Sequence, residues 1–105
     1  MRVRTQFAAF LLSGLAASTA VAQDAATLNL RSLAATCANC HSTDGRTTDG
    51  SAIQALAGMP RDYMITQIKS FKDGSRSATV MHQLSKGFTD QQIESVASYF
   101  AALKR

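Results

Sequence analysis

Cysteine is scarce in this 105-residue chain: there are two, Cys37 and Cys40, three positions apart. A disulfide between them would close a very small loop and stabilise little, so no disulfide framework holds the fold. Nothing reads as a pair of strands, no segment repeats and no tract is of low complexity, which argues against sheet and solenoid architectures. Beyond the first 22 residues no run is long and apolar enough to span a bilayer. Charge of one sign is also in short supply. The formal net charge is +4, and it falls to +2 once Arg2 and Arg4 are set aside, with nine basic side chains against seven acidic ones. That is too weak a balance for a nucleic-acid partner.

The first 22 residues read as a leader. Arg2 and Arg4 form a short positive region, Phe7 to Leu15 is apolar apart from Ser13 and Gly14, and Ala16 to Ala20 turns small. Ala20-Val21-Ala22 fits the small-x-small cleavage rule, so residues 1–22 are expected to be a signal peptide and residues 23–105 the mature, periplasmic domain. The alternative, an uncleaved membrane anchor, would need a longer run of ~20 apolar residues. After cleavage no contact with the membrane is expected. A domain this small buries a limited core and usually needs a staple, a metal or a cofactor.

Three stretches carry helical signals. In residues 27–38, Leu28, Leu30, Leu33 and Ala34 give an imperfect apolar face. A second helix is expected to begin at Pro60, with Tyr63, Met64, Ile68 and Phe71 on one side and Gly74 at its end. The third is the clearest. Thr89 and Gln92 have capping-box spacing, Phe88 and Ile93 have staple spacing, and Val96, Ala97, Phe100 and Leu103 continue the period. Lys104 and Arg105 then suit the negative end of the helix dipole. Residues 42–58 and 74–87 read as long irregular loops. Three helices and two such loops cannot easily bury their faces against each other, whereas a flat apolar cofactor would complete the core.

The chemistry lies in Cys37-Ala38-Asn39-Cys40-His41. On one helical turn, Cys-x-x-Cys-His places two thiols to add across the vinyl groups of a haem, and the adjoining imidazole beneath the ring to bind iron. Cys37 and Cys40 are therefore the candidate thioethers, and His41 the candidate ligand. Three other readings stand beside it. A thioredoxin-like pair needs a strand-helix-strand context that is absent here. A zinc site could recruit Cys37, Cys40, His41 and His82, though adjacent Cys and His depart from the usual spacing between ligand pairs. A plain disulfide is the third.

A sixth ligand decides what such an iron can do. A thioether sulfur raises the potential and closes the iron to small molecules. Met81, in the second long loop, is the expected donor because a loop residue can reach the opposite face of the ring. His82 beside it would instead give a bis-imidazole haem of lower potential. Met59 and Met64 are further donors by type, with ordinary core filling as their plainer role.

The chain resembles the class I c-type cytochromes. The resemblance rests on Cys37 to His41, Leu56-Ala57-Gly58, Tyr63 through Phe71-Lys72-Asp73-Gly74-Ser75-Arg76, Thr79-Val80-Met81, Lys86-Gly87-Phe88-Thr89-Asp90 and Ile93 to Phe100. It is similar in particular to single-haem domains such as those in cytochrome subunits of flavocytochrome c sulfide dehydrogenases. The resemblance implies an all-α fold of three or more helices wrapped around one covalent haem c, with iron held by His41 and Met81. It implies single-electron transfer between periplasmic redox proteins, among them a sulfur-oxidising flavoprotein, and no enzymatic activity of its own. The family often has Pro two residues before the Leu of Leu-Ala-Gly, where its carbonyl holds the ligating His. Here Gln54 stands in that place, with a backbone carbonyl still to offer.

Leu56, Tyr63, Ile68, Phe71, Val80, Leu84 and Phe100 are the expected apolar lining. Lys69, Lys72, Arg76 and Lys86 are either a patch that steers an acidic partner or an ordinary solvated face. The competing functions, a small peroxidase or a haem-based sensor, both require Met81 to be displaceable. Protein matured in a host with haem-ligation machinery is expected to keep its haem through denaturation, with neither thiol open to alkylation. Colourless protein with two reactive thiols would refute the attachment.

Overall fold

A computed structural model describes residues 24–105. The expected signal peptide and its cleavage site lie outside the described residues. The architecture is helical, as expected, with five α-helices and no strand among the described residues. Helix α1 covers 24–35. It is followed by α2 (Ala38–His41), a 3-10 turn (Thr43–Gly45), α3 (Arg61–Asp73), α4 (Met81–Lys86) and α5 (Asp90–Ala101).

Helix α5 forms where its sequence directs. The Thr89 side chain accepts from the Gln92 backbone N–H at 3.1 Å, and the Gln92 side chain accepts from the Thr89 N–H at 2.9 Å. This reciprocal cap satisfies two donors that the first turn would otherwise leave open. Ile93, Val96, Ala97 and Phe100 then fall on one stripe, and all four are buried. The stripe meets Met59 and Met64 together with Ala34 of α1, and Leu56, Ile68 and Leu103 pack around this cluster.

Helices α3 and α5 run antiparallel, as the polar ties at their two ends show. At the start of α3, Arg61 donates to Ser98 Oγ at 2.9 Å and lies 3.6 Å from Glu94. Towards its end, Lys69 and Lys72 reach Asp90 at 3.3 and 3.1 Å, and Lys72 also donates to the Phe88 carbonyl at 2.7 Å. These lysines are thus engaged within the fold. Arg76 lies 4.6 Å above the Phe71 ring and hydrogen-bonds Gln67. Three of the four cations considered for steering a partner therefore have structural work, which favours the plainer reading of that face.

The structure differs from the sequence-based expectations at four boundaries. The first helix stops at residue 35, and a turn at 36–37 separates it from α2. Pro60 is the N-cap of α3 rather than its first residue, with an extended ψ of 131°. Residues 74–87, expected to be irregular, contain α4. Six residues are too few to display a period, and Val80 offers no side-chain cap to announce the helix. Finally, α5 ends at Ala101, so Leu103, Lys104 and Arg105 lie beyond it. Leu103 still packs on the core, and the Lys104 carbonyl accepts from Arg46 at 3.2 Å.

Hydrogen bonds from Lys72 and Lys69 hold the Asp90 carboxyl below the usual aspartate range. A folded-state value below the unfolded one means that this tie stabilises the fold at neutral pH and is lost as pH falls through the folded value. Asp90→Asn should be less stable than wild type near neutrality, with the difference shrinking as the solution is acidified. Parallel denaturation curves across pH check this.

Candidate functional site

The Cys-x-x-Cys-His segment folds as a single turn. The Cys37 carbonyl accepts from the backbone N–H of His41 at 2.9 Å and of Cys40 at 3.3 Å. That turn places Cys40 and His41 three and four residues beyond Cys37, the spacings that share a helix face. Cys40 is exposed and Cys37 half-buried, and both are free thiols. Burial pushes the Cys37 thiol above its ordinary value, while a hydrogen bond with Thr36 pulls the other way.

The chain then reverses sharply. Ser42 has φ 63° and ψ 167°, a region that only glycine occupies without strain, and Asp44 follows at φ 54°. Such residues cost of order 1–3 kcal/mol each and persist only where the surroundings impose them. Here the reversal brings residues 46–58 back beneath the turn. The Gly45 carbonyl accepts from the N–H groups of Leu56 (2.8 Å) and Ala57 (3.2 Å), and the Phe100 carbonyl accepts from Gly58 at 2.9 Å. Asp44 is held in turn by the Tyr99 hydroxyl, which donates to it at 3.0 Å. Desolvation, reinforced by this carboxylate, raises the Tyr99 pKa.

The loop delivers one decisive contact. His41 Nδ1 lies 2.6 Å from the backbone carbonyl oxygen of Gln54. A carbonyl can only accept, so Nδ1 carries the proton, which leaves Nε2 as the nitrogen available to a metal. This is the tautomer that a metal-binding imidazole needs, with its orientation set by the backbone. Gln54 makes the contact without a proline ring, because the carbonyl alone is used.

Of the four methionines, Met59 and Met64 are 7% and 2% exposed inside the core cluster, which leaves them as packing residues. Met81 is half-buried and opens α4. His82 follows it, with a buried Nδ1 that has no partner. Among the described residues no three His, Cys, Asp or Glu side chains are grouped to hold a metal ion, so the zinc set does not assemble. Tyr63, Val80 and Leu84 of the expected lining stand 47%, 50% and 50% exposed, and such apolar side chains are what a flat apolar ring would bury. Phe100 belongs instead to the helical core, at 1% exposure. The donors therefore fit a haem: two thiols on one turn, an imidazole presenting Nε2, and uncovered apolar surface. A separate cleft of about 340 Å³, with Leu28, Ala34, Tyr99 and Phe100 in its walls, includes none of Cys37, Cys40, His41 or Met81. Among the described residues no helix is long and apolar enough to cross a membrane.

An all-helical fold built on a Cys-x-x-Cys-His turn defines the class of small haem-c domains. The cytochrome c family model matches residues 31–104, and the chain belongs to that family. Its members carry covalently attached haem c with iron, and are electron carriers rather than enzymes. The chain is 40% identical over 73 residues to the cytochrome subunit of sulfide dehydrogenase from Chlorobaculum tepidum, covering 70% of this chain and 64% of that one. It is 34% identical over 71 residues to the thiosulfate dehydrogenase electron acceptor of Thiomonas intermedia, covering 68% and 33%. To cytochrome c4 of Pseudomonas aeruginosa it is 35% identical over 71 residues, covering 68% and 35%. The match thus spans just under two thirds of the first relative and about a third of the other two.

Gly45 is the pivot of the reversal. Its φ is +68°, and a Cβ there would stand 2.7 Å from Leu56 Cβ and 3.1 Å from the Phe100 ring. Gly50 has a similar φ of +78° but nothing within 4 Å. Gly50→Ala should cost only the left-handed backbone penalty of about 1 kcal/mol. Gly45→Ala should cost clearly more, about 3 kcal/mol, because backbone and packing both suffer. Denaturant midpoints of the two variants make the comparison.

Proposed function

We propose that this chain is an exported monohaem cytochrome c that carries single electrons between periplasmic redox proteins. In this reading residues 1–22 are its signal peptide. Cys37 and Cys40 would hold the ring as thioethers, and His41 Nε2 and the Met81 sulfur would hold its iron. The observation that carries the reading is the 2.6 Å contact of His41 Nδ1 with the Gln54 carbonyl, made within a Cys-x-x-Cys-His turn. The haem supplies a reversible one-electron change at iron. The residues around it would hold that iron in place: the thioethers would fix the ring to the Cys37–His41 turn, and the Gln54 carbonyl orients the His41 imidazole. A Met81 thioether favours ferrous iron, raises the potential and keeps water and small ligands away.

The relatives' names support a source for the electron. One is a subunit of a sulfide dehydrogenase and another the electron acceptor of a thiosulfate dehydrogenase. We infer a sulfur-oxidising dehydrogenase as donor, with a flavoprotein as its specific form. Rapid reduction of the ferric protein by such a flavoprotein on addition of sulfide would support the pairing, and no reduction would remove it.

Replacement of the methionines separates the carrier from a sensor or peroxidase. Met81→Ala should abolish the weak far-red sulfur–iron band of the ferric protein, lower the potential and admit carbon monoxide. Met64→Ala should leave spectrum and potential in place while costing about 2–5 kcal/mol of stability, as truncation of a buried core side chain does. Wild-type protein that is high-spin, or that binds carbon monoxide readily, would instead indicate an open iron.

A further inference from the structure

Aspartate precedes glycine at three places, Asp44-Gly45, Asp49-Gly50 and Asp73-Gly74. The pair is chemically labile wherever the chain is loose. Glycine has no Cβ to shield its amide nitrogen, which can attack the side-chain carboxyl of the residue before it. The ring that forms is flat and five-membered. It closes only after the aspartate has turned about ψ until the glycine nitrogen eclipses Cβ, far from helical values. Carboxyl and backbone must therefore both be free to move.

The fold restrains two of the three pairs. Asp44 accepts from the Tyr99 hydroxyl at 3.0 Å and from Arg46 at 3.3 Å. The Gly45 N–H is engaged by the Ser42 carbonyl at 2.9 Å, and Gly45 is buried. Asp73 closes α3, and its carboxylate accepts from the Ser75 N–H at 2.8 Å. The chain beyond it is turned back on the helix, where the Arg76 N–H donates to the Ser70 carbonyl at 3.0 Å. Asp49 and Gly50 have no such restraint. They form the corner of a turn closed by the Ser51 N–H on the Thr48 carbonyl at 3.1 Å. Both are exposed, and a Cβ on Gly50 would meet nothing within 4 Å. Among the described residues neither the Asp49 carboxyl nor the Gly50 N–H has a partner.

We propose that Asp49 is a site of spontaneous isoaspartate formation, and that the fold protects the other two pairs. The Gly50 nitrogen bonds to Asp49 Cγ, its proton and the carboxyl's hydroxyl leave as water, and a succinimide results. Water then opens the ring at one of its two carbonyls. Opening at Cγ restores aspartate. Opening at the main-chain carbonyl gives isoaspartate, with the chain running through Cβ and a free carboxylate on Cα. Water is released and taken up in equal measure, and no oxidant or reductant takes part. The product adds one methylene to the backbone between Arg46 and Gln54. The change therefore falls in the loop whose Gln54 carbonyl orients His41.

The test holds the holoprotein at neutral pH and physiological temperature. Peptide mapping with electron-transfer fragmentation then tells isoaspartate from aspartate at each site. Isoaspartate should rise at position 49 about tenfold faster than at 44 or 73, where hydrogen bonds must open first. The same chain unfolded in denaturant should isomerise at all three sites at similar rates. Asp49→Glu, which would need a larger ring, should remove the signal at 49 and leave the other two sites as they were. Native protein that reacts as fast at Asp44 or Asp73 would overturn the proposal. So would an Asp49 that stays unmodified while the unfolded chain reacts. A preference for Asp49 that persists in denaturant would refute the part assigned to the fold.

Discussion

The hydrogen bond from His41 Nδ1 to the Gln54 carbonyl is the constraint on which the site depends. A lone histidine on a four-residue helix could turn about χ1 and χ2 and expose either nitrogen. Bonded at one nitrogen to backbone, it presents the other in a fixed direction. The cost of the arrangement lies in the backbone between them. Ser42 and Asp44 occupy left-handed space without the excuse of glycine. Strain of order 1–3 kcal/mol per residue is tolerable only because several contacts over-determine the reversal. Gly45 takes two N–H donors on its carbonyl, Tyr99 holds Asp44, and Arg46 reaches the Lys104 carbonyl. Each contact fixes the loop that carries Gln54.

Much of this was legible in the sequence where the cause is local. The Thr89–Gln92 cap and the period from Ile93 to Phe100 lie within one segment, and α5 formed as they dictate. The Cys-x-x-Cys-His turn is equally local. The Gln54 carbonyl was legible only through the family pattern, since no side chain marks it. Other features had no local signal. Helix α4 is too short to show a period, and the positive φ of Ser42 and Asp44 is imposed from outside. Lys69 and Lys72 look like any surface cations until Asp90 is brought against them by the packing of α3 on α5. The unpartnered state of Ser85 depends on burial, which a serine near a glycine does not suggest.

The same helix pair governs both sides of the proposed iron site. On the His41 side, the loop bearing Gln54 is bonded to the carbonyls of Phe100 and Lys104, at and beyond the end of α5. On the Met81 side, α4 packs against α3. The separation of the proposed ligands is therefore set by how α3 sits on α5, which Arg61 fixes at one end and Lys69 and Lys72 at the other. Between those ties lies a core in which Ala97 is 0% exposed and Phe100 1%. Interiors packed this closely resist small displacements. An electron carrier benefits from that resistance, because atoms that do not move between ferric and ferrous states need not be moved before the electron passes. The polar ties thus serve less to stabilise the protein, exposed ion pairs contributing little, than to fix the register of two helices whose ends position the two proposed ligands.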